Sequence, residues 1–168
     1  MSTRLELRSI KIIASMSEET PCYSGRLFFD GQHIADVSNR GHGGPDEVCA
    51  LRGCEVALDA AIAYVKTMPP VCTDFGDLAM DLELWCHTEV GKVEGRKEIL
   101  RSLRKDLKRA VVYVRDGGIY VMTYKGVKQI GPQHIAHFKA KHPELTILNE
   151  LPEAEAFEIY APLVLQEG

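Results

Sequence analysis

The sequence predicts an α+β fold, with an N-terminal three-stranded antiparallel sheet, a later β-hairpin, and helices packed on one face. Apolar residues alternate with polar ones in the first 40 positions and again near position 115, as in half-buried strands. Between and after these stretches, apolar residues recur at helical spacing. The chain has 168 residues, of which 45% are hydrophobic. We therefore expect a single compact domain over residues 1–168.

The first strand is predicted from the alternation near the N-terminus. Leu5 and Leu7, and then Ile10 and Ile12, alternate with charged residues. The phase of this alternation changes near Ser9. A change of phase within one strand indicates a β-bulge.

Two β-hairpins are predicted from their turn sequences. Residues 22–39 contain two apolar runs joined by Asp-Gly at 30–31, a dipeptide that suits a two-residue turn. Residues 110–126 place β-branched and aromatic residues on both sides of Asp-Gly-Gly at 116–118. The first hairpin completes the three-stranded sheet, and the second supplies the fourth and fifth strands.

An amphipathic helix is predicted from Pro45 to the Met-Pro-Pro at 68–70. Leu51, Leu58 and Ile62 recur at helical spacing within it. Proline is tolerated in the first turn of a helix, and the two later prolines end it.

The middle of the chain leaves two alternatives open. Residues 71–77 form a predicted connection, and a helical stripe begins at Leu78. Gly91 and Gly95 each weaken a helix by about 1 kcal/mol relative to alanine, which permits one kinked helix or two shorter ones. We favour a break, with a second helix over 97–110.

Two further helices are predicted near the C-terminus. The first follows Gly131, begins with proline and turns Ile135 and Phe138 inward. The second is a short terminal helix that Pro162 ends.

Composition excludes several classes of protein. A protein that coats nucleic acid carries a large positive charge, and the net charge of this chain is only −4. Five cysteines without a CxxC pair encode neither a disulfide framework nor a zinc ribbon, which favours reduced thiols. No apolar run reaches the roughly 20 residues that a membrane span needs. We expect a cytoplasmic protein without contact to a membrane.

A glycine-rich loop, "VSNRGHGGPDEV" over residues 37–48, is the first candidate site. A glycine-rich loop between the end of a strand and the start of a helix can bind a phosphate group. However, Pro45 removes an N–H donor, and Asp46 and Glu47 repel anions. The sequence therefore favours a partner-binding loop, formed by Arg40, Gly41, His42, Gly43 and Gly44.

A basic stretch over residues 92–109 is the second candidate site. Such a helix could contact an acidic protein or nucleic acid, or it could be a solvated outer face. The stretch contains no aromatic residue, which weakens the case for nucleic acid. The predicted basic face consists of Arg96, Lys97, Arg101, Arg104, Lys105 and Lys108.

Other reactive side chains form no complete site. His134 and His137 lie three residues apart, but the local sequence supplies no third metal ligand. Cys86 and His87 are neighbours in a predicted helix, and adjacent helical residues do not face each other. We therefore predict no metal, no cofactor and no catalytic residue, and we lean against an enzyme.

The N-terminal 45 residues resemble a group of small proteins carried by bacteriophages and prophages. The resemblance rests on the Ser-Glu-Glu-Thr run at 17–20, Cys22, Asp-Gly at 30–31, and the Ser-Asn and glycines of the loop at 38–44. The group has no assigned reaction, so it carries over no catalytic residue. The resemblance implies a phage accessory protein, a class that often binds and blocks a host factor, including host defence machinery.

These observations lead to three functional hypotheses. The first is a phage or prophage accessory protein that binds and inhibits a bacterial host protein or nucleoprotein. The alternative is a small enzyme or sequestering protein that acts on nucleotides or other phosphorylated ligands through the glycine-rich loop. The third is nucleic-acid binding by the basic helix.

Overall fold

The computed structural model describes residues 4–73 and 76–166, and these form an α+β fold. The helices are α1 (Glu55–Val65), α2 (Leu82–Arg109), α3 (Pro132–Lys141) and α4 (Glu153–Gln166). The strands are β1 (Leu5–Ile12), β2 (Cys22–Phe29), β3 (Gln32–Arg40), β4 (Glu47–Ala50), β5 (Val71–Thr73), β6 (Gly76–Leu78), β7 (Val111–Arg115), β8 (Gly118–Met122) and β9 (Thr146–Ile147). The predicted fold class is confirmed.

The chain groups into two compact units, Met1–Glu94 and Gly95–Gly168, and the boundary falls inside α2. By sequence, the first unit has 8 Lys and Arg against 15 Asp and Glu, a net charge of −7. The second has 12 Lys and Arg against 9 Asp and Glu, a net charge of +3. A single compact domain over residues 1–168 stays a prediction.

The sheet of the first unit has four antiparallel strands in the order β1-β2-β3-β4, one more than predicted. Its inward residues form one core with apolar residues of α1 and α2. The bulge in β1 is confirmed, because Ser9 has φ 56° and the register shifts between Arg8 and Lys11. The fully buried core residues of this unit include Leu27, Ile34, Val37, Ala61, Val65, Cys86 and Val90.

Both predicted hairpin turns are confirmed. Asp30 and Gly31 have φ of 47° and 83°, and Asp116 and Gly117 have φ of 49° and 76°. Two consecutive residues at positive φ are what a type I′ turn requires, and this explains the Asp-Gly sequences.

The predicted helix start at Pro45 is wrong. Residues after Pro45 form β4, in which Val48 pairs with Val37 of β3. A turn with Gly53 at φ 80° then leads into α1, which begins at Glu55. A strand is favoured over a helix here because Val48, in its strand conformation, packs against the core.

Two predictions for the middle of the chain are also wrong. The predicted connection over 71–77 contains strand residues, because β5 and β6 pair antiparallel, while positions 74 and 75 lie outside the described residues. α2 then runs unbroken for 28 residues through Gly91 and Gly95. The cost of two glycines is small compared with the packing of the apolar residues that α2 buries on both sides of them, Trp85, Val90 and Leu103 among them.

The second unit contains a three-stranded sheet in the order β8-β7-β9. Its α3 confirms the predicted helix, with Phe138 buried and Ile135 packed against the same core. α4 corrects the predicted end at Pro162, because that proline lies inside a helix that continues to Gln166. Val164 packs against the core beyond the proline, which favours continuation of the helix.

Candidate functional site

The glycine-rich loop is fastened to the segment that precedes β2. The buried carbonyl of Gly41 accepts backbone hydrogen bonds from Glu18, Glu19 and Thr20, at 2.9, 3.1 and 3.5 Å. Gly41 itself has φ 86°, a conformation that favours glycine. The Ser-Glu-Glu-Thr run and the glycine loop therefore form one structure, although they are some 20 residues apart in the chain.

Asn39 holds this structure together from inside. Only 4% of the residue is exposed. Its Oδ1 accepts hydrogen bonds from Thr20 Oγ1 at 2.9 Å and from Gly41 N–H at 2.8 Å. Its Nδ2 donates to the Gly44 carbonyl and to Asp46 Oδ1, both at 3.0 Å. All four hydrogen bonds that an amide side chain can make are therefore formed within the protein.

Asp46 lies beneath the loop with 1% of its side chain exposed. Its Oδ2 accepts a hydrogen bond from the Tyr23 hydroxyl, and its Oδ1 is 3.2 Å from His87 Nε2. Burial, together with the hydrogen bond to Asp46, raises the pKa of Tyr23, so this phenol stays neutral. The buried carboxylate is thus surrounded by donors.

Asp46, Glu83 and His87 could in principle hold a metal ion, because one ligand atom of each lies within 4.8 Å of the others. Both Asp46 oxygens, however, already accept hydrogen bonds from Tyr23, Asn39 and His87. The donor set therefore fits a hydrogen-bonded clasp, and we assign no metal to it. We call the cluster of Asn39, Asp46, Tyr23 and His87 the Asn39 clasp.

The sequence did not indicate this clasp. Glu83 and His87 are four apart on one helix, which is a readable pattern, but Asp46 lies 37 residues earlier. Only the folding of β4 against β3 brings it beneath α2. The missing signal is therefore one of tertiary structure.

Cys86 is not placed for nucleophilic chemistry. Its side chain is fully buried, and burial raises its pKa to about 12, with nearby carboxylates acting in the same direction. A nucleophilic cysteine needs a lowered thiol pKa and access to substrate. Cys86 fills the core of the first unit.

The predicted partner-binding loop joins two strands and not a strand and a helix. Arg40 is 83% exposed and lies 3.7 Å from Glu47, and His42 is exposed at 3.1 Å from Glu18. The N–H groups of Gly41 and Gly43 already donate to Asn39 and Thr20 side chains. Without a helix N-terminus, and with these donors used, the geometry gives no support to a phosphate cradle.

The predicted basic face is exposed at all six positions, but two of its arginines are engaged. Arg104 makes two hydrogen bonds to Glu153, at 2.6 and 2.7 Å. Arg96 lies 3.4 Å from Glu158 and stacks over the Phe157 ring. These two arginines attach α4 to α2.

The four other cations of this face have no ion-pair partner among the residues that the structure describes. Lys97, Arg101, Lys105 and Lys108 form no ion pair with any residue in the described part of the chain. At 100° and 1.5 Å per residue they fall within about 80° of arc along about 16 Å of helix. We call these four residues the α2 stripe.

The two histidines of α3 have structural contacts. His134 Nδ1 accepts a hydrogen bond from Gly131 N–H at 3.0 Å, and its ring packs on Tyr124. His137 also lies near Tyr124. Among the described residues, neither histidine belongs to a group of three metal-ligating side chains.

No helix in the described ranges combines the length and the apolar character that spanning a membrane demands. Comparison with known proteins finds no matching family model, no matching curated protein and no matching solved structure.

Proposed function

We propose that this chain is a non-catalytic accessory protein that binds, and thereby inhibits, a bacterial host protein with an acidic surface. The observation that carries the proposal is the α2 stripe, four exposed cations on one helix face without ion-pair partners among the described residues. A complementary acidic surface would attract this stripe and steer association.

The spacing of the stripe strengthens the proposal. Lys97, Arg101 and Lys105 are separated by four residues each, and Lys108 follows three later. Like charges at this spacing destabilise a helix by about 0.2–0.5 kcal/mol per pair. Pairing with glutamates would relieve this repulsion, as Arg104 and Glu153 do beside it. A partner that supplies carboxylates would relieve it in the same way.

An acidic protein fits the stripe better than nucleic acid does. The stripe is only about 16 Å long, and nucleic-acid grooves usually combine longer basic tracks with aromatic side chains that stack on bases. Residues 96–109 contain no aromatic side chain, and Glu98 and Asp106 interrupt the positive charge.

The N-terminal motif supports an accessory protein over an enzyme. The Ser-Glu-Glu-Thr run, Cys22, Asn39 and Gly41 of this motif are joined by hydrogen bonds at the loop and the Asn39 clasp, whereas its Asp-Gly at 30–31 forms the turn between β2 and β3. Their role in this chain is explained by folding. A phage or prophage origin, and a host factor as target, follow from that resemblance.

The test is affinity capture from bacterial lysate with the tagged protein, read by mass spectrometry before and after nuclease treatment. We expect one host protein to be retained by the wild type and lost in the triple variant Lys97→Glu/Arg101→Glu/Lys105→Glu. The matched control reverses three exposed cations of the first unit, Lys11→Glu/Arg52→Glu/Lys66→Glu, and has the same net charge. It should retain the protein.

Capture that depends on nuclease-sensitive material would replace the acidic protein by nucleic acid. Equal capture by both triple variants and the wild type would contradict the proposal. The double variant Arg40→Ala/His42→Ala, measured alongside, tests the predicted partner-binding loop, which stays a prediction.

A further inference from the structure

One sheet edge of the second unit lacks the protection that the other edges have. Exposed edge strands are normally protected by charged side chains or by being very short. Among the described strands, β1 carries Arg8 and Lys11, β4 has four residues and β9 has two. β8 has five residues and no charge.

β8 also exposes large apolar side chains. Tyr120, Val121 and Met122 are 46%, 53% and 44% exposed. Because successive side chains of a strand point to opposite faces, this apolar surface wraps around the edge. β8 therefore resembles the receiving edge in complexes formed by strand addition.

The outward backbone groups of β8 form no hydrogen bond with any residue that the structure describes. Arg115 and Gly118 flank the two-residue turn and form its closing pair. Hydrogen-bonded and non-hydrogen-bonded pairs alternate along an antiparallel ladder. The N–H and C=O groups of Ile119 and Val121 therefore point away from β7, at the edge of the sheet.

A basic groove of about 600 Å³ lies at the open end of the β7–β8 hairpin. Its lining consists of Lys108, Arg109, Thr123, Val127 and Lys128. The three cations form no ion pair with residues of the described ranges.

These cations are also not needed to cap α2. Asn149 Nδ2 donates to the carbonyls of Leu107 and Ala110, both at 3.0 Å, and Ile130 N–H donates to the Lys108 carbonyl. The groove thus presents positive charge directly beyond the last residue of β8, and no carboxylate of the described residues neutralises it.

We propose that β8 accepts an extended acidic segment of the partner as an added antiparallel strand, with carboxylates of that segment in the groove. This inference rests on the proposed function and specifies how part of the partner is held. In antiparallel pairing, residues N-terminal to the added strand lie beyond Met122, at the groove.

A second copy of this chain fits the edge less well. The strand that it would add, β8 itself, carries no carboxylate, and the nearest acid, Asp116, is paired with Arg115 at 3.2 Å. Pairing between copies would leave the charge of the groove unmatched.

The test uses the full chain labelled with ¹⁵N and a blocked synthetic peptide, Glu-Glu-Glu-Thr-Val-Thr-Val-Thr. We expect amide hydrogen exchange of Ile119 and Val121 to slow about tenfold or more on saturation, because both N–H groups become hydrogen-bonded. A peptide with glutamine in place of glutamate, and the variant Lys108→Gln/Lys128→Gln, should each weaken binding about tenfold.

Variants at Val121 separate backbone pairing from side-chain contact. Val121→Pro removes the outward N–H and should abolish peptide binding. Val121→Thr keeps this N–H and should bind the peptide as the wild type does. If Val121→Pro does not fold, the exchange rates of the wild type decide the question alone.

Several outcomes would overturn the inference. One is unchanged exchange at Ile119 and Val121 at millimolar peptide, or peptide effects confined to Lys97, Arg101 and Lys105. Another is slow exchange of both amides in the free chain that depends on its concentration, which would identify a second copy as the occupant. Host-protein capture lost in the stripe variant but kept in Val121→Pro would refute strand addition and leave the proposed function standing.

Discussion

At the scale of single residues, Asn39 connects the N-terminal motif to the interior. It links Thr20, the loop backbone and the buried carboxylate of Asp46 through four hydrogen bonds. A buried carboxylate that loses a donor is costly because the charge is then incompletely solvated. Loss of the Asn39 side chain should therefore destabilise both the loop and the Asn39 clasp.

We predict that Asn39→Ala lowers the free energy of unfolding of the first unit by about 2–4 kcal/mol. Fluorescence of Trp85, the single tryptophan and a buried residue of that unit, reports the transition in urea. The control Gln32→Ala removes an exposed amide from the same strand and should change stability by less than about 0.5 kcal/mol. A loss equally small for Asn39→Ala would refute the clasp.

The glycines of the loop are not equivalent. A Cβ on Gly41 would lie 2.2 Å from the Met16 carbonyl oxygen, whereas a Cβ on Gly44 would meet nothing within 4 Å. We predict that Gly41→Ala destabilises the protein by about 2 kcal/mol or more and that Gly44→Ala has little effect. Urea unfolding of both variants measures this. Similar values for the two would show that the loop can move away from Met16.

Cys86 gives a pH-dependent prediction. Its pKa is raised from 9.0 to about 12 in the folded protein. The stability that this protonated thiol contributes is therefore fully present below about pH 9 and is lost as pH rises through about 12. Cys86→Ala should lower stability at pH 7 through the cavity that it leaves, but its stability should fall less steeply between pH 9 and pH 11. Parallel curves for the two proteins would contradict this assignment.

At the scale of elements, α2 is a continuous helix in spite of its two glycines. A Cβ added to Gly91 or Gly95 would meet no atom within 4 Å, and neither glycine has positive φ. We predict that each glycine-to-alanine change stabilises the protein by about 0.5–1 kcal/mol. Gly53→Ala, at φ 80°, is the control and should destabilise it. Destabilisation by Gly91→Ala or Gly95→Ala in urea unfolding would indicate the break that the sequence predicts.

Elements specified by local chemistry were predictable from the sequence. The Asp-Gly turns and the bulge at Ser9 depend on a few adjacent residues, and each is present. β4 was not predictable, because Val48 lies three residues before Leu51 and fits a helical pattern as well as a strand. Its pairing with Val37 of β3 decides between the two. Local rules likewise predict that a helix ends at Pro162. In the structure α4 continues past this proline, because Val164 packs against the core.

The candidate sites show the same limit. The spacing of the sequence predicts six cations on one helical face. It does not predict that Arg96 and Arg104 form ion pairs with glutamates of α4. Exposure of Arg40 and His42 agrees with the expectation for a contact loop, whereas burial of Gly41 depends on the distant segment 17–20. Contacts between remote parts of the chain thus decide which residues of a pattern remain available.

At the scale of the whole molecule, the distribution of charge matters more than the total. The net charge of −4 is the sum of a net charge of −7 on the first unit and +3 on the second. Attraction to an acidic partner should therefore depend on the second unit and weaken with salt, because the Debye length falls from about 10 Å at 0.1 M to about 3 Å at 1 M.

The most direct measurement is the amount of captured host protein as NaCl increases, for the wild type and the Lys97→Glu/Arg101→Glu/Lys105→Glu variant. The α2 stripe predicts strong capture by the wild type at low salt, a steep decline as salt rises, and no capture by the variant at any salt. Capture that is insensitive to salt and equal for both proteins would contradict the central claim.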